Sequence, residues 1–346
     1  MKMNRLLLIM LTLFALSGQA QQNNDKPYLT RKFPAEGITE LAVETSGGSI
    51  TVTGGGSSFE VAMYVKPNNN WNGKQELSSE EIEDRLKDFE IKIVAEGGRV
   101  VATARRKQEV KWDNKRNVSI GFVVTAPRNT ATFLKTSGGS IQIASLTGEQ
   151  NFATSGGSLK INDLKGKVQG KTSGGSIDAS HCSDEIVLHT SGGSIKAETM
   201  KGKIELETSG GSITLHDLNG EIEAHTSGGS IKGDQIAGSL NTGTSGGSIR
   251  LAGVSGSLKA STSAGSIEAE LTALGSYVNL ASSAGSVRVT MPLDKGADLD
   301  LRGNRVSIPL KNFDGEAEKD RVRGKINGGG IPVTLTASSG SVYVNQ

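Results

Sequence analysis

Residues 136–159 read TSGGSIQIASLTGEQNFATSGGSL, and this stretch contains a unit that repeats through the second half of the chain. The string TSGGSI or TSGGSL begins at seven threonines and TSAGSI begins at an eighth, with an interval of 18 residues throughout. These threonines are Thr136, Thr154, Thr172, Thr190, Thr208, Thr226, Thr244 and Thr262. Such an exact short period predicts a solenoid, in which each repeat buries its apolar face only against its neighbours.

The apolar residues within one repeat have the spacing of strands. Counted from the threonine as zero, they fall at plus five and seven, at plus ten, and at plus fourteen, as in Ile213, Leu215, Leu218 and Ile222. One repeat is then about two short strands and two turns. The same alternation points the threonine inward, where its hydroxyl needs a hydrogen-bond partner.

Two glycine positions are predicted to form the corners of each repeat, because glycine accepts a positive φ without penalty. One is at plus twelve, as in Gly148, and the other is in the Gly-Gly pair. TSAGS at Ala264 and SSAGS at Ala284 indicate that only the second glycine of the pair is indispensable. The predicted structural turn glycines of the pair are Gly139, Gly157, Gly175, Gly193, Gly211, Gly229, Gly247 and Gly265.

These patterns predict an all-β chain, a single parallel β-helix (β-solenoid) with 18-residue rungs and a small α/β insertion near the N-terminus. We expect N-terminal rungs or a cap over 21–65, an insertion with a re-entry strand over 66–135, and the solenoid with irregular C-terminal rungs over 136–346. Within the insertion, Ser78 and Glu81 form a capping-box pattern that predicts a short helix near 79–88. A β-hairpin is predicted to follow it.

Residues 1–20 have the pattern of a secretory signal peptide. Lys2 and Arg5 precede an apolar run over 6–16, and small residues end at Ala20. The run is shorter than the roughly 20 residues that span a membrane. We therefore expect an exported protein, in the periplasm, at the cell surface or outside the cell, and no membrane span in the mature chain.

Charge and cysteine content exclude several classes of function. The chain has 38 basic and 36 acidic residues, which is too even for a global field that attracts nucleic acid. Cys182 is the single cysteine, so neither an intramolecular disulfide nor a structural cysteine-zinc site can form. Since Cys182 occupies the apolar plus-ten position, it is predicted to be a buried small hydrophobe.

Four segments together resemble the bacterial putative-adhesin family of exported β-strand-repeat proteins, which carries the label of a domain of unknown function. They are LAVETSGGSITVTG at 41–54, SIGFVVTAPRNTATFLKTSGGSIQI at 119–143, the tandem TSGGSI rungs, and GKINGGGIPVTLTASSGSVYV at 324–344. The resemblance implies a right-handed parallel β-helix, a hand that the crossover preference also favours. It implies no catalytic residues.

Three side chains form a candidate metal site on the surface. His189, Glu207 and His225 occupy plus seventeen in consecutive rungs, so a zinc or copper ion could lie between the imidazoles with Glu207 as third ligand. The other interpretation is a solvated column in which alternating His and Glu avoid like-charge contacts. We predict no metal and no cofactor, and keep these three residues as surface candidates.

A basic run surrounds an aromatic residue near the end of the predicted hairpin. Arg105, Arg106 and Lys107 precede Lys111–Arg116, which includes Trp112. The run could hold an acidic glycan or a phosphorylated surface by ion pairing and stacking, or it could be an ordinary solvated hairpin end. Asn117-Val118-Ser119 matches a glycosylation sequon.

The function predicted from these features is that of an exported, non-enzymatic, adhesin-like solenoid that binds or scaffolds at the cell envelope through repeated ladder faces. A cell-surface polysaccharide or an envelope protein would be its partner, and nucleic acid would not. The alternative is a carbohydrate-active β-helix enzyme, a polysaccharide lyase or hydrolase. Glu205 and Glu223 are the obvious acidic column for it, although rungs of 18 residues leave no loops to build a cleft.

Overall fold

A computed structural model describes residues 26–67, 77–109 and 117–346. The predicted signal peptide and Lys111–Arg116 of the basic run lie outside the described residues. The described strands join into one continuous sheet that winds into a β-solenoid of about nine turns. The predicted fold class, a β-solenoid with rungs of about 18 residues, is confirmed.

The elements run in chain order. The N-terminal part contains β1 (Leu29–Pro34), β2 (Glu40–Thr45), β3 (Ile50–Gly54), β4 (Ser58–Pro67), α1 (Ser79–Leu86), β5 (Phe89–Glu96), β6 (Arg99–Arg106), β7 (Val118–Ala126) and β8 (Ala131–Thr136). The repeats contain β9 (Ile141–Thr154), β10 (Leu159–Thr172), β11 (Ile177–Ser180), β12 (Ser183–Thr190), β13 (Ile195–Thr208), β14 (Ile213–Thr226), β15 (Ile231–Thr244), β16 (Ile249–Thr262) and β17 (Ile267–Ser282). The C-terminal part contains β18 (Val287–Thr290), β19 (Ala297–Gly303), β20 (Val306–Ser307), β21 (Phe313–Ala317), β22 (Arg321–Ile326), β23 (Ile331–Ala337) and β24 (Val342–Asn345).

Consecutive rungs stack in parallel and in register. Ile213 of β14 pairs with Ile195 of β13 on one side and with Ile231 of β15 on the other. Ile213 and Leu215 are fully buried, as the alternation predicts. Each rung therefore presents a first face at plus five to plus eight and a second face at plus thirteen to plus seventeen, with the apolar core between them.

The inward threonines hold each rung to the one before it. Thr226 Oγ1 donates a 2.7 Å hydrogen bond to the carbonyl oxygen of Gly211 in the preceding rung. Thr226 Oγ1 also accepts a 3.3 Å hydrogen bond from the N–H of Gly229, in the corner of its own rung. The pattern recurs in rung after rung, so the backbone satisfies the buried hydroxyl and the threonine links two corners.

The second glycine of TSGGS is required by close stacking and not by a positive φ, which corrects the predicted reason. A Cβ on Gly211 would lie 2.0 Å from the carbonyl oxygen of Gly193, whereas a Cβ on Gly210 would find its nearest neighbour at 3.5 Å. Ala264 and Ala284 occupy this first position without conflict for the same reason. The plus-twelve glycines do adopt positive φ, for example 134° at Gly220.

The second corner contains a left-handed residue that the sequence did not reveal. At plus nine, non-glycine residues adopt φ between 50° and 58° in six successive rungs. They are Ser145, Asp163, His181, Thr199, Asp217 and Gln235. In most of these rungs one 14-residue strand runs through this corner, so the two predicted short strands are a single bent strand.

Inserted elements cap both ends of the described solenoid. At the N-terminal end β5 pairs antiparallel with β6, and β1 pairs antiparallel with β4. At the C-terminal end β21 pairs antiparallel with β22. The predicted capping box of Ser78 and Glu81 is present at the start of α1. No helix in the described part of the chain is long and apolar enough to cross a membrane.

Candidate ligand-binding groove

The second face presents two straight rows of outward side chains. The rows lie in register because β6, β2, β8, the second halves of β9 and β10, and β12 pair in parallel one after another. The Phe133 row contains Val101, Ala42, Phe133, Asn151, Gln169 and Val187, and continues through Glu205 and Glu223. The Lys135 row contains Thr103, Glu44, Lys135, Ala153, Lys171 and His189, and continues through Glu207 and His225.

A groove of about 740 Å³ lies over the N-terminal part of these rows. Its floor includes Phe133, whose side chain is unusually exposed for a large apolar group, at 40%. The small side chains of Ala42 and Ala153 keep the floor low, and Asn151 and Gln169 supply amides. The groove therefore combines an accessible aromatic ring with hydrogen-bonding groups, which is a common composition for ligand sites.

Two arginines of β6 form one wall of the groove. Arg99 Nε donates to Glu40 Oε2 at 2.8 Å, and the Arg99 guanidinium lies 5.8 Å from the centre of the Phe133 ring. Arg105 pairs with Glu44, and the hydrogen bond to that carboxylate raises the pKa of the guanidinium. These ion pairs hold both arginines at the groove.

Two lysines on the same floor have free ammonium groups. Lys135 of β8 and Lys171 of β10 are exposed, and neither forms a hydrogen bond or ion pair with a residue that the structure describes. They lie two strands apart in one row, which corresponds to about 10 Å. The groove is thus lined by four permanent cations and one carboxylate, Glu44.

The structure places the candidate metal residues in one row, as their spacing predicts. His189 Nδ1 lies 3.1 Å from Glu207 Oε2, and His189 Nε2 lies 3.8 Å from Glu205 Oε1. His225 pairs in register with Glu207. Within the described ranges, no group of three or more His, Cys, Asp or Glu side chains has an arrangement that could hold a metal ion.

Glu205 and Glu223 lie side by side on β13 and β14, as the enzyme alternative requires. Both are partly exposed on the open second face, and the Glu205 side chain retains 44% of its accessible surface. Their surroundings are those of a solvated surface row, without the water exclusion that tunes a pair of catalytic carboxylates.

The basic run is divided between two environments in its described part. Arg105 lines the groove, whereas Arg106 points to the other side of β6 and donates to Asn117 Oδ1. Asn117, the sequon asparagine, is 5% exposed. This burial leaves little room for a glycan on its side chain.

Cys182 is buried in the core at plus ten, as predicted, and its thiol donates to the carbonyl oxygen of Ser180 at 3.3 Å. Burial in apolar surroundings raises the pKa of the Cys182 thiol to about 11. The adjacent His181 is exposed at its left-handed corner position. The thiol therefore lacks the thiolate character that cysteine nucleophiles need.

The sequence alone did not identify the groove. Lys135 and Lys171 stand out as plus-seventeen cations only when the second face is known to continue from β9 through β8 to β2 and β6. Phe133 offered a signal, because it alternates with the buried Thr132 and Leu134 and so had to point outward.

Fold and register define the chain as a β-solenoid protein. Residues 181–345 match the family model described as Toastrack DUF4097. The predicted resemblance to a putative-adhesin family of unknown function is confirmed. A search of the curated proteins found no similar sequence.

Two crystal structures are similar to this chain. A putative cell adhesion protein from Clostridium sporogenes ATCC 15579 shares 12% identity over 93% of this chain and 100% of its own, with a TM-score of 0.21. A putative adhesin from Bacteroides fragilis NCTC 9343 shares 15% identity over 76% of this chain and 95% of its own, with a TM-score of 0.38. Because both TM-scores are low, neither structure bears on the function of this chain.

Proposed function

We propose that this protein is an exported, non-enzymatic, adhesin-like scaffold that binds a partner at the cell envelope through the side-chain rows of its second face. The observation that carries the proposal is the register of that face. From β6 to β17 and on to β23, outward side chains of the second face lie in two rows, and the exact 18-residue rungs from β9 to β16 add no loops between them. Such a face suits an extended ligand that makes many weak contacts.

The composition of the rows supports binding and not catalysis. Asn151, Gln169, Asn241 and Asn279 place amides along the Phe133 row, and amides donate and accept hydrogen bonds without titrating. The face is open along its length, and it lacks the water exclusion that tunes a pair of carboxylates for bond cleavage. We therefore expect a polymer that binds here to keep its length.

The test compares two tryptophan substitutions on the same strand. Gln169→Trp places a bulky ring in the Phe133 row, and Lys160→Trp places the same ring on the first face of β10. We expect residues 21–346 to bind isolated envelope material, Gln169→Trp to lose that binding, and Lys160→Trp to retain it. Absence of wild-type binding, equal loss in both variants, or shortening of the polymer would each contradict the proposal.

A further inference from the structure

The groove over the N-terminal part of the second face has a charge of its own. The whole chain carries a formal net charge of only +2, so it exerts little general attraction on polyanions. Four permanent cations nevertheless line the groove, and two of them, Arg99 and Arg105, are paired with Glu40 and Glu44. Lys135 and Lys171 have no partner among the residues that the structure describes. Both ammonium groups line the same open groove, where they could pair with negative charges on a ligand.

We propose that this groove binds an anionic polysaccharide, one that bears carboxylate or sulfate groups along its chain. The inference rests on the proposed function and names the class of ligand. Lys135 and Lys171, about 10 Å apart by the strand spacing, would each pair with an acidic group of the polymer. Phe133 would pack against the apolar face of a sugar ring, and Asn151 and Gln169 would bond its hydroxyl groups.

The direction and extent of the bound chain follow from the rows. The groove crosses six strands from β6 to β12, which is about 24 Å along the solenoid. Beyond His189 the rows become acidic at Glu205 and Glu207. Like charges disfavour a polyanion there, so the bound segment would end at His189.

The pairing of the strands favours a polysaccharide over an acidic protein segment. Extended peptides often bind by adding a strand to a free sheet edge, where main-chain hydrogen bonds supply affinity. Each strand under the groove is already paired on both sides, from β6 between β5 and β2 to β12 between β10 and β13. Recognition in the groove must therefore come from side chains, which suits a chain of rings, hydroxyls and charges.

The experiment measures binding of residues 21–346 to dextran sulfate, polygalacturonate, uncharged dextran and poly-glutamate. We expect both anionic polysaccharides to bind, dextran to bind far more weakly, and salt to weaken the binding as it screens the charges, between about 50 and about 500 mM NaCl. Poly-glutamate has the charge without the sugar rings, and we expect weak binding. Binding by dextran sulfate alone or by polygalacturonate alone would identify the acidic group as sulfate or carboxylate.

Three variants locate the site. The double variant Lys135→Gln, Lys171→Gln should lose roughly twofold to thirtyfold in affinity, the sum of two exposed ion pairs. Lys259→Gln removes a cation of the Phe133 row outside the groove and should change nothing. Phe133→Ala should weaken polysaccharide binding and leave its salt dependence intact.

Three outcomes would overturn the proposal. They are equal binding of dextran and dextran sulfate, an equal effect of Lys259→Gln and the double variant, and tight binding of poly-glutamate. With any of these outcomes the proposed adhesin-like function is still supported if the wild-type protein binds envelope material and Gln169→Trp does not. If the wild-type protein fails to bind envelope material, the proposed function itself is contradicted, and this inference with it.

Discussion

Thr136 Oγ1 donates a 2.8 Å hydrogen bond to the carbonyl oxygen of Gly48, although 88 residues separate the two along the chain. The bond is the same one that joins Thr154 to Gly139 within the exact repeats. A Cβ on Gly139 would also lie 2.0 Å from that carbonyl oxygen of Gly48. The motif at Thr45 is thus the rung that stacks directly on the first tandem repeat, and the insertion leaves and re-enters the solenoid between them.

The threonine bonds lead to a first prediction about stability. Thr226→Val should lower the free energy of unfolding by about 1–3 kcal/mol, because the carbonyl of Gly211 loses its donor and the N–H of Gly229 loses its acceptor. Thr226→Ser is the control, since Ser282 makes both bonds of this position naturally, at 2.7 Å and 2.9 Å. Urea denaturation measures the difference, and equal loss in both variants would show that packing of the methyl group dominates.

The two glycines of one corner should respond differently to the same change. Gly211→Ala should cost about 1–3 kcal/mol or more, since its Cβ would overlap the carbonyl of Gly193 in the rung below. Gly210→Ala should be nearly neutral because its Cβ finds ordinary contacts. Thermal unfolding of the two variants checks this, and a stable Gly211→Ala protein would contradict the stacking distance at the corner.

Asp184 provides a prediction in the stabilising direction. It adopts a φ of 89° at plus twelve, where Gly166 and Gly202 occupy the neighbouring rungs. Asp184→Gly should therefore raise the free energy of unfolding by roughly 0.5–1 kcal/mol, since glycine adopts this φ without strain.

Asp178 is the matched control for that change, an exposed aspartate of ordinary backbone conformation in the same rung. Asp178→Gly should lower the free energy of unfolding by roughly 0.5–1 kcal/mol, because glycine adds only chain entropy to the unfolded state. Denaturant midpoints for both variants measure the contrast. If both variants are less stable than the wild type, the interactions of the Asp184 side chain stabilise the fold by more than its positive φ destabilises it.

Cys182 should make stability fall at alkaline pH. Its pKa is raised to about 11 in the folded chain from an ordinary value of 9.0, so above about pH 9 the unfolded state releases the thiol proton first. The contribution of the protonated Cys182 thiol to the free energy of unfolding is fully present below about pH 9. Roughly 2 kcal/mol of it is lost as the pH rises towards 11. Unfolding of wild-type and Cys182→Ala protein at pH 8 and pH 10.5 should show a steeper loss in the wild type.

Labelling provides an independent check on the same thiol. Iodoacetamide at pH 8 should react with Cys182 only after denaturation, because the folded thiol is buried and protonated. Rapid labelling of the native protein would contradict its placement in the core.

Much of the solenoid followed from the sequence, because its determinants repeat at every rung. Residues 18 apart in sequence become neighbours in the stack, so the period alone predicts the register, the inward column of Ile213 and the two corners. The left-handed residue at plus nine escaped this reasoning, since Ser, Asp, His, Thr and Gln share no side-chain property there. The bend of the rung at this corner sets the positive φ, and residues of several types adopt it there.

By itself the sequence determined the repeating unit, its buried face and the positions where only glycine fits. The tertiary structure alone decided how the insertion docks, and with it the groove, where Arg99 and Arg105 of β6 meet Lys135 of β8 and Lys171 of β10. The physical reason is that a repeat specifies its neighbours by periodicity. The pairing of β6 with β2 is a single long-range contact that occurs once in the chain, so no repeated pattern in the sequence predicts it.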